Sequence, residues 1–179
     1  MGEKMDHLNK IVEQVLHFAR STEPKLTRVN LNELIDDLGL LTRHKLRNQN
    51  IQLVLQLDQD LPLVMADATQ LEQAFLNLIL NAVEAMPDGG KLTITTRSSG
   101  GGSPPAATTQ VAIEFRDTGQ GMSEDQCQRA FSSLLSTTKK AGTGLGLAIV
   151  SRVVETHRGK VSIKSRRRHG TTIAITLPV

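Results

Sequence analysis

Tryptophan and tyrosine are missing from the sequence and phenylalanine occurs only four times, which leaves little surface on which nucleic-acid bases could stack. One cysteine, Cys127, excludes an internal disulfide, and no histidine and cysteine cluster has the spacing of a zinc site. No apolar run approaches the ~18 residues of a membrane-spanning helix, and no signal-peptide pattern opens the chain. A strong charge bias is lacking too: lysine and arginine exceed aspartate and glutamate by 21 to 18, a mild +3. The one dense basic run, Arg166-Arg167-Arg168, reads as a solvated turn or strand edge. These absences point to a reducing, cytoplasmic setting without nucleic acid as a partner.

What is present is ordinary for a globular domain. Hydrophobic residues make up 39% and charged residues 22% of 179 residues, enough for one domain with a core and a short appendage. Residues 6–20 carry Leu8, Ile11, Val12, Val15, Leu16 and Ala19 at helical spacing, a broad apolar face that needs a partner. After Pro24, Asn30 and Glu33 form a capping pattern for a helix to about Arg47, and Asp67 with Gln70 opens another to about Met86. Strands are expected at 51–57, 92–96, 111–117, 160–165 and 171–177, and a further helix at 144–157 stopped by Gly159. Residues 97–110 read as a flexible connection and 118–142 as loop-rich. There is no internal repeat. The mixture predicts a two-layer α/β sandwich, in which a mixed, largely antiparallel sheet of about five strands packs on about three helices behind an N-terminal helix.

Several positions carry chemistry. Asp117 is in phase with Val111, Ile113 and Phe115, so a carboxylate closes the inward face of its strand and requires a donor, such as the exocyclic amine of a base. Gly119 and Gly121 follow where a flat ligand or a sharp turn would bring the backbone close. Thr171, in phase with Ile173, Ile175 and Leu177, puts a hydroxyl at a second strand end, where it could orient a water or Asp117, or be a satisfied buried threonine. On the helix from 67 to 86, Gln73, Asn77, Asn81 and Glu84 form a polar stripe beside Leu71, Phe75, Leu78 and Ala82. Two amides one turn apart suit a hard cation that keeps several waters, although a hydrated helix face reads the same way. Gly142-Thr143-Gly144-Leu145-Gly146 runs into an apolar helix just after Lys139 and Lys140, an arrangement that favours anions. It is neither a Walker loop nor a Gly-x-Gly-x-x-Gly fingerprint.

In order, NLILNAVEAM at 77–86, DTGQGM at 117–122 and GTGLGLAIV at 142–150 resemble the N, G1 and G2 boxes of the histidine-kinase branch of the ATPase superfamily that includes gyrase, Hsp90 and MutL. HRGKVSIKS and GTTIAITLP resemble its closing strands. The resemblance implies a Bergerat-type ATP-binding fold over 25–179 with an ATP lid at about 122–142. It makes Asp117 the adenine-amine acceptor with Thr171 nearby, Gly119 and Gly121 contacts to the base, and Asn77 and Asn81 ligands of Mg2+. Gly142, Thr143, Gly144, Leu145 and Gly146 become the phosphate-contacting hinge, Lys139 a catalytic group reaching the γ-phosphate, and Asn77 a second catalytic residue. The lid departs from the family pattern in reading FSSLLSTTKK, with leucines at 134 and 135.

Residues 1–24 resemble the second helix of a dimerisation hairpin and its linker. The expectation is therefore a fragment of a two-component sensor histidine kinase that binds ATP but cannot phosphorylate itself, His7 and His17 lacking the acceptor context. The implied partners are the dimerisation and phosphoacceptor domain of a homodimeric parent, membrane-tethered or not, and a response regulator downstream. An ATP-gated switch, a serine kinase of the same superfamily and a non-catalytic scaffold remain open on the sequence.

Overall fold

The computed structural model describes residues 23–99, 109–130 and 146–179. After a short strand, β1 (Thr27–Val29), Asn30 accepts the N–H groups of Asn32 and Glu33 on its side chain and so starts α1 (Leu31–Asn48). Leu31, Ile35, Leu38, Thr42 and Leu46 of α1 are buried at helical spacing, and Gly39 lets the helix close on Leu53 and Leu55 of β2 (Ile51–Gln56). β3 (Val64–Ala66) pairs antiparallel with β1 in a separate two-stranded ribbon. Asp67 then caps α2 (Ala68–Ala85) by accepting from Thr69 and Gln70 N–H groups.

β2 and β4 (Gly90–Ser99) pair in parallel, which a hairpin cannot achieve, and α2 lies in the crossover between them. β4 pairs antiparallel with β5 (Gln110–Asp117), β5 with β7 (Thr171–Pro178), and β7 with β6 (Lys160–Ser165). The sheet order is thus β2-β4-β5-β7-β6. α3 (Glu124–Arg129) and α4 (Gly146–Thr156) complete the described elements.

Alternation along the strands sets the two layers. Leu92, Ile94, Val111, Ile113, Phe115, Ile173, Ile175 and Leu177 are buried against the helices, whereas Glu114 and Arg116 on the opposite face are exposed. Phe75 of α2 meets Phe115 of β5 with ring centroids 5.4 Å apart. α2 and α4 together cover the middle of the sheet, burying Leu71, Leu78 and Ile79 alongside Val150 and Val154. The expected two-layer sandwich with a five-stranded mixed sheet and three long helices is what forms.

Four details differ from the sequence expectation. The β1–β3 ribbon has no sign in the sequence, since three-residue strands show no alternation to read. The stretch from 118 to 142 is not loop throughout, because Ser123 and Gln126 form a capping box that starts α3. Strand ends differ: β2 ends at Gln56, one residue short of Leu57, while β4 runs on to Ser99 and β5 begins at Gln110, so both ends of the expected 97–110 connection are paired strand. Gly159 is not the left-handed residue that ends α4: Arg158 adopts φ 57 there. Gly159 N–H returns to the Val154 carbonyl and Arg158 N–H to that of Glu155, a Schellman closure with arginine in the usual glycine place. The helix expected at 6–20, the middle of the connection at 97–110 and most of the lid lie outside the described residues.

Candidate functional site

The site grows from the end of β5. Asp117 is 9% exposed and its Oδ1 accepts the N–H groups of Gly119 at 2.8 Å and Thr171 at 3.2 Å. The donors that burial of this carboxylate demands are thus partly supplied by the chain itself, across the β5–β7 pairing. The loop after it is held on both flanks: Gln120 N–H donates to the Ala85 carbonyl at the end of α2, and Arg168 N–H donates to the Gln120 carbonyl at 2.7 Å. The basic run is therefore an exposed β6–β7 turn whose backbone supports this loop.

Both loop glycines are explained by protein packing. A Cβ on Gly119 would lie 2.5 Å from the Ala85 carbonyl oxygen, and one on Gly121, whose φ is +64, would overlap the carbonyl oxygen of Arg166. Contact with a base is not needed to account for either residue. Thr171 is 8% exposed, but its hydroxyl meets Ser165 Oγ at 2.8 Å, and only its backbone N–H reaches Asp117. The reading in which the Thr171 hydroxyl orients Asp117 is corrected accordingly. Ser165 Oγ donates to the Gly170 carbonyl and accepts from Met122 N–H. Its one proton being spent, the Thr171 hydroxyl must donate to it, which leaves Thr171 Oγ1 with acceptor capacity toward a ligand or water. Ser165 was missed in the sequence because it matches no motif; its only sign was the strand phase that faces it away from solvent.

On α2 the polar stripe is partly interior. Asn77 is 9% exposed and its Nδ2 has no hydrogen-bond partner among the described residues, so a plain hydrated face does not describe it. Asn81, one turn on, lies beside the first residue of α4: a Cβ on Gly146 would stand 3.5 Å from Asn81 Nδ2 and 3.6 Å from its Oδ1. An orphaned amide on Asn77, a second amide on Asn81 and the first described turn of α4 thus lie about one turn of α2 away from the Asp117 loop. The amide oxygens of Asn77 and Asn81 fit a hard cation that carries phosphate oxygens, and the orphaned donor fits an anion or water. Lys139, Gly142, Thr143, Gly144 and Leu145 lie outside the described residues.

A separate open groove of about 570 Å³ runs between α3 and β6, lined by Cys127, Ile163, Lys164 and Arg167 among others. It shares Ser165 and Met122 with the site but none of Asp117, Asn77 or Asn81. Burial pushes the Cys127 thiol up, the Ser165 N–H opposes this and the Glu124 charge adds to it, the reverse of an activated nucleophile. Among the described residues no group of three His, Cys, Asp or Glu side chains could hold a metal ion, and no helix is long and apolar enough to cross a membrane.

The sequence profile of the histidine kinase-, DNA gyrase B-, and HSP90-like ATPases matches residues 66–179, and the chain belongs to that family. Sensor histidine kinase ZraS of Escherichia coli (strain K12) is 36% identical over 179 residues, all of this chain and 37% of the kinase. The chain therefore spans well under half of that relative's length. The crystal structure of full-length ShkA in complex with AMPPNP superposes with a TM-score of 0.83 at 30% identity, over 98% of this chain and 36% of ShkA. Histidine kinase ThkA in complex with the response regulator TrrA gives 0.79 at 28% identity, over 99% of this chain and 48% of ThkA.

Proposed function

We propose that the chain is the ATP-binding catalytic module of a sensor histidine kinase, which holds ATP with Mg2+ and transfers the γ-phosphoryl group to a histidine on the dimerisation domain of the same kinase. Asp117 carries this reading: a buried carboxylate at a strand end, beside a threonine that can accept, suits the amine edge of adenine. Similarity over the whole chain to sensor histidine kinase ZraS, and to ShkA, which was solved with AMPPNP, supports it.

In this reading Asp117 accepts the adenine amine, Thr171 accepts at the same edge or through a water, and Gly119 and Gly121 keep their loop close enough for both. Asn77 and Asn81 turn amide oxygens toward the metal-bound phosphates. The N–H groups of Gly142, Thr143, Gly144, Leu145 and Gly146 and the N-terminus of α4 meet phosphate charge, and Lys139 reaches the γ-phosphate. When bound, Mg2+ supplies charge neutralisation for an in-line displacement. The rest of the chain's contribution is positioning.

The module comprises residues 25–179, because α1 and β2 share one core with the matched region, and residues 1–24 belong to the dimerisation hairpin and its linker. The parent is a dimer whose catalytic module works in the cytoplasm, and its phosphoryl group passes to a response regulator, as the ThkA complex suggests. The test mixes this chain with γ-labelled ATP and a hairpin carrying an acceptor histidine. Acid-labile label on the hairpin is expected; label on serine, or none while ATP binds, contradicts the transfer.

A further inference from the structure

One buried imidazole has no part in the roles above. His157 is 6% exposed and stands at the C-terminal end of α4. Its Nδ1 lies 2.7 Å from the Val153 carbonyl oxygen, and its Nε2 lies 2.9 Å from the backbone nitrogen of Asp67. A carbonyl only accepts and an amide N–H only donates. The ring therefore carries its proton on Nδ1, donates it to Val153, and accepts from Asp67 on a bare Nε2. Both bonds end on backbone, so the ring ties one main chain to another across 90 residues of sequence.

The place of this tie matters more than its strength. Asp67 caps α2 and its Oδ2 also accepts the N–H of Lys25, in the segment that leads into β1. α2 and α4 lie side by side in opposite directions: Asp67 meets His157 at one end, and Asn81 meets Gly146 at the other. A rigid helix pair pinned at one end is set in register at the other. One residue of helical rise is about 1.5 Å, and misplacement by about 1 Å is enough to damage a phosphate-handling site severely.

We propose that His157 is a positioning residue for the nucleotide site: by bridging the end of α4 to the start of α2 it fixes how the amide of Asn81 stands to the N-terminus of α4. This rests on the reading that those two groups serve the metal-bound phosphates. A histidine that only fills space requires bulk alone. A bridging one requires an acceptor at the reach of Nε2, which glutamine supplies and the shorter asparagine does not.

The test compares the full chain with His157→Gln and His157→Asn, each held below its melting midpoint. Affinity for ATP is measured with Mg2+ and with chelator, and ligand-free NMR follows the Gly146 amide and the Asn81 side-chain amide. His157→Asn is expected to weaken Mg2+-dependent binding about tenfold, leave metal-free binding within about twofold and shift both resonances, whereas His157→Gln restores all three. A purely structural role would instead lower both affinities together. Equal loss with and without Mg2+, wild-type binding by His157→Asn, or unmoved resonances overturn the assignment. If the wild-type chain binds no ATP, the functional reading fails on its own, and the resonances still decide whether His157 sets the register. Should His157→Asn not fold, His157→Gln decides alone: a displaced Gly146 resonance with the Asp67 amide still protected from exchange contradicts the proposal.

Discussion

Asp117 Oδ1 already holds two backbone N–H groups, so a substitution must separate that work from any contact with a base. Asp117→Asn keeps an amide oxygen for Gly119 and Thr171 while it replaces the other oxygen by a donor, which opposes an adenine amine. ATP affinity should fall at least tenfold, about 1.4 kcal/mol, with a melting temperature close to wild type. Calorimetry and a thermal melt check the two halves separately. Gly121 makes the complementary case. Its φ of +64, and the Arg166 carbonyl oxygen that a methyl group there would overlap, mean that Gly121→Ala should destabilise the nucleotide-free protein by roughly 2 kcal/mol or more, read by urea denaturation. A loss seen only as weaker ATP binding would show that the glycine serves the ligand instead. Strand phase is enough to place Asp117 and Thr171 at the inner face from sequence. Phase says nothing of a hydroxyl's partner, and so it cannot tell that the Thr171 bond runs to Ser165 and not to Asp117.

Among the elements, α2 bears most on the site, and its start depends on Asp67. Burial pushes the Asp67 carboxyl up, but the N–H groups of Lys25, Gln70 and Thr69 outweigh it and hold the group below its usual range. Because the folded value lies below the unfolded one, the stabilisation is complete above the unfolded carboxylate range and is lost as pH falls through the folded value. Asp67→Ala should therefore cost about 1 kcal/mol near neutral pH, a difference that shrinks as acid titrates the wild type below about pH 4. Denaturant midpoints at a series of pH values measure it. A difference independent of pH would remove the charge from the account. The long helices and the five main strands were legible because each carries a full period of apolar residues. β1 and β3 were not, since pairing between distant segments makes them, and α3 was passed over although Ser123 and Gln126 spell out its cap.

At the scale of the whole molecule, one sheet face and three long helices share a single core, and the site lies where the C-terminal end of β5, the end of α2 and the start of α4 come together. Phe75 stands at the centre of that core against Phe115. Phe75→Ala should cost about 3–5 kcal/mol, seen as a fall in the denaturant midpoint, and a cost near zero would mean that the two layers are not held as described. The order of the three glycine- and asparagine-bearing motifs was readable in sequence because each is a contiguous run of residues. The burial of Asn77 and the part of His157 were not, because both depend on which helix lies beside which. The claim on which the rest stands is that these elements enclose a site for ATP with Mg2+. Titration of the full chain and of Asp117→Asn with ATP, with and without Mg2+, tests it most directly. Magnesium-dependent binding by the wild type that is lost in a folded Asp117→Asn is predicted; absence of binding by the wild type, or equal binding by both, contradicts it.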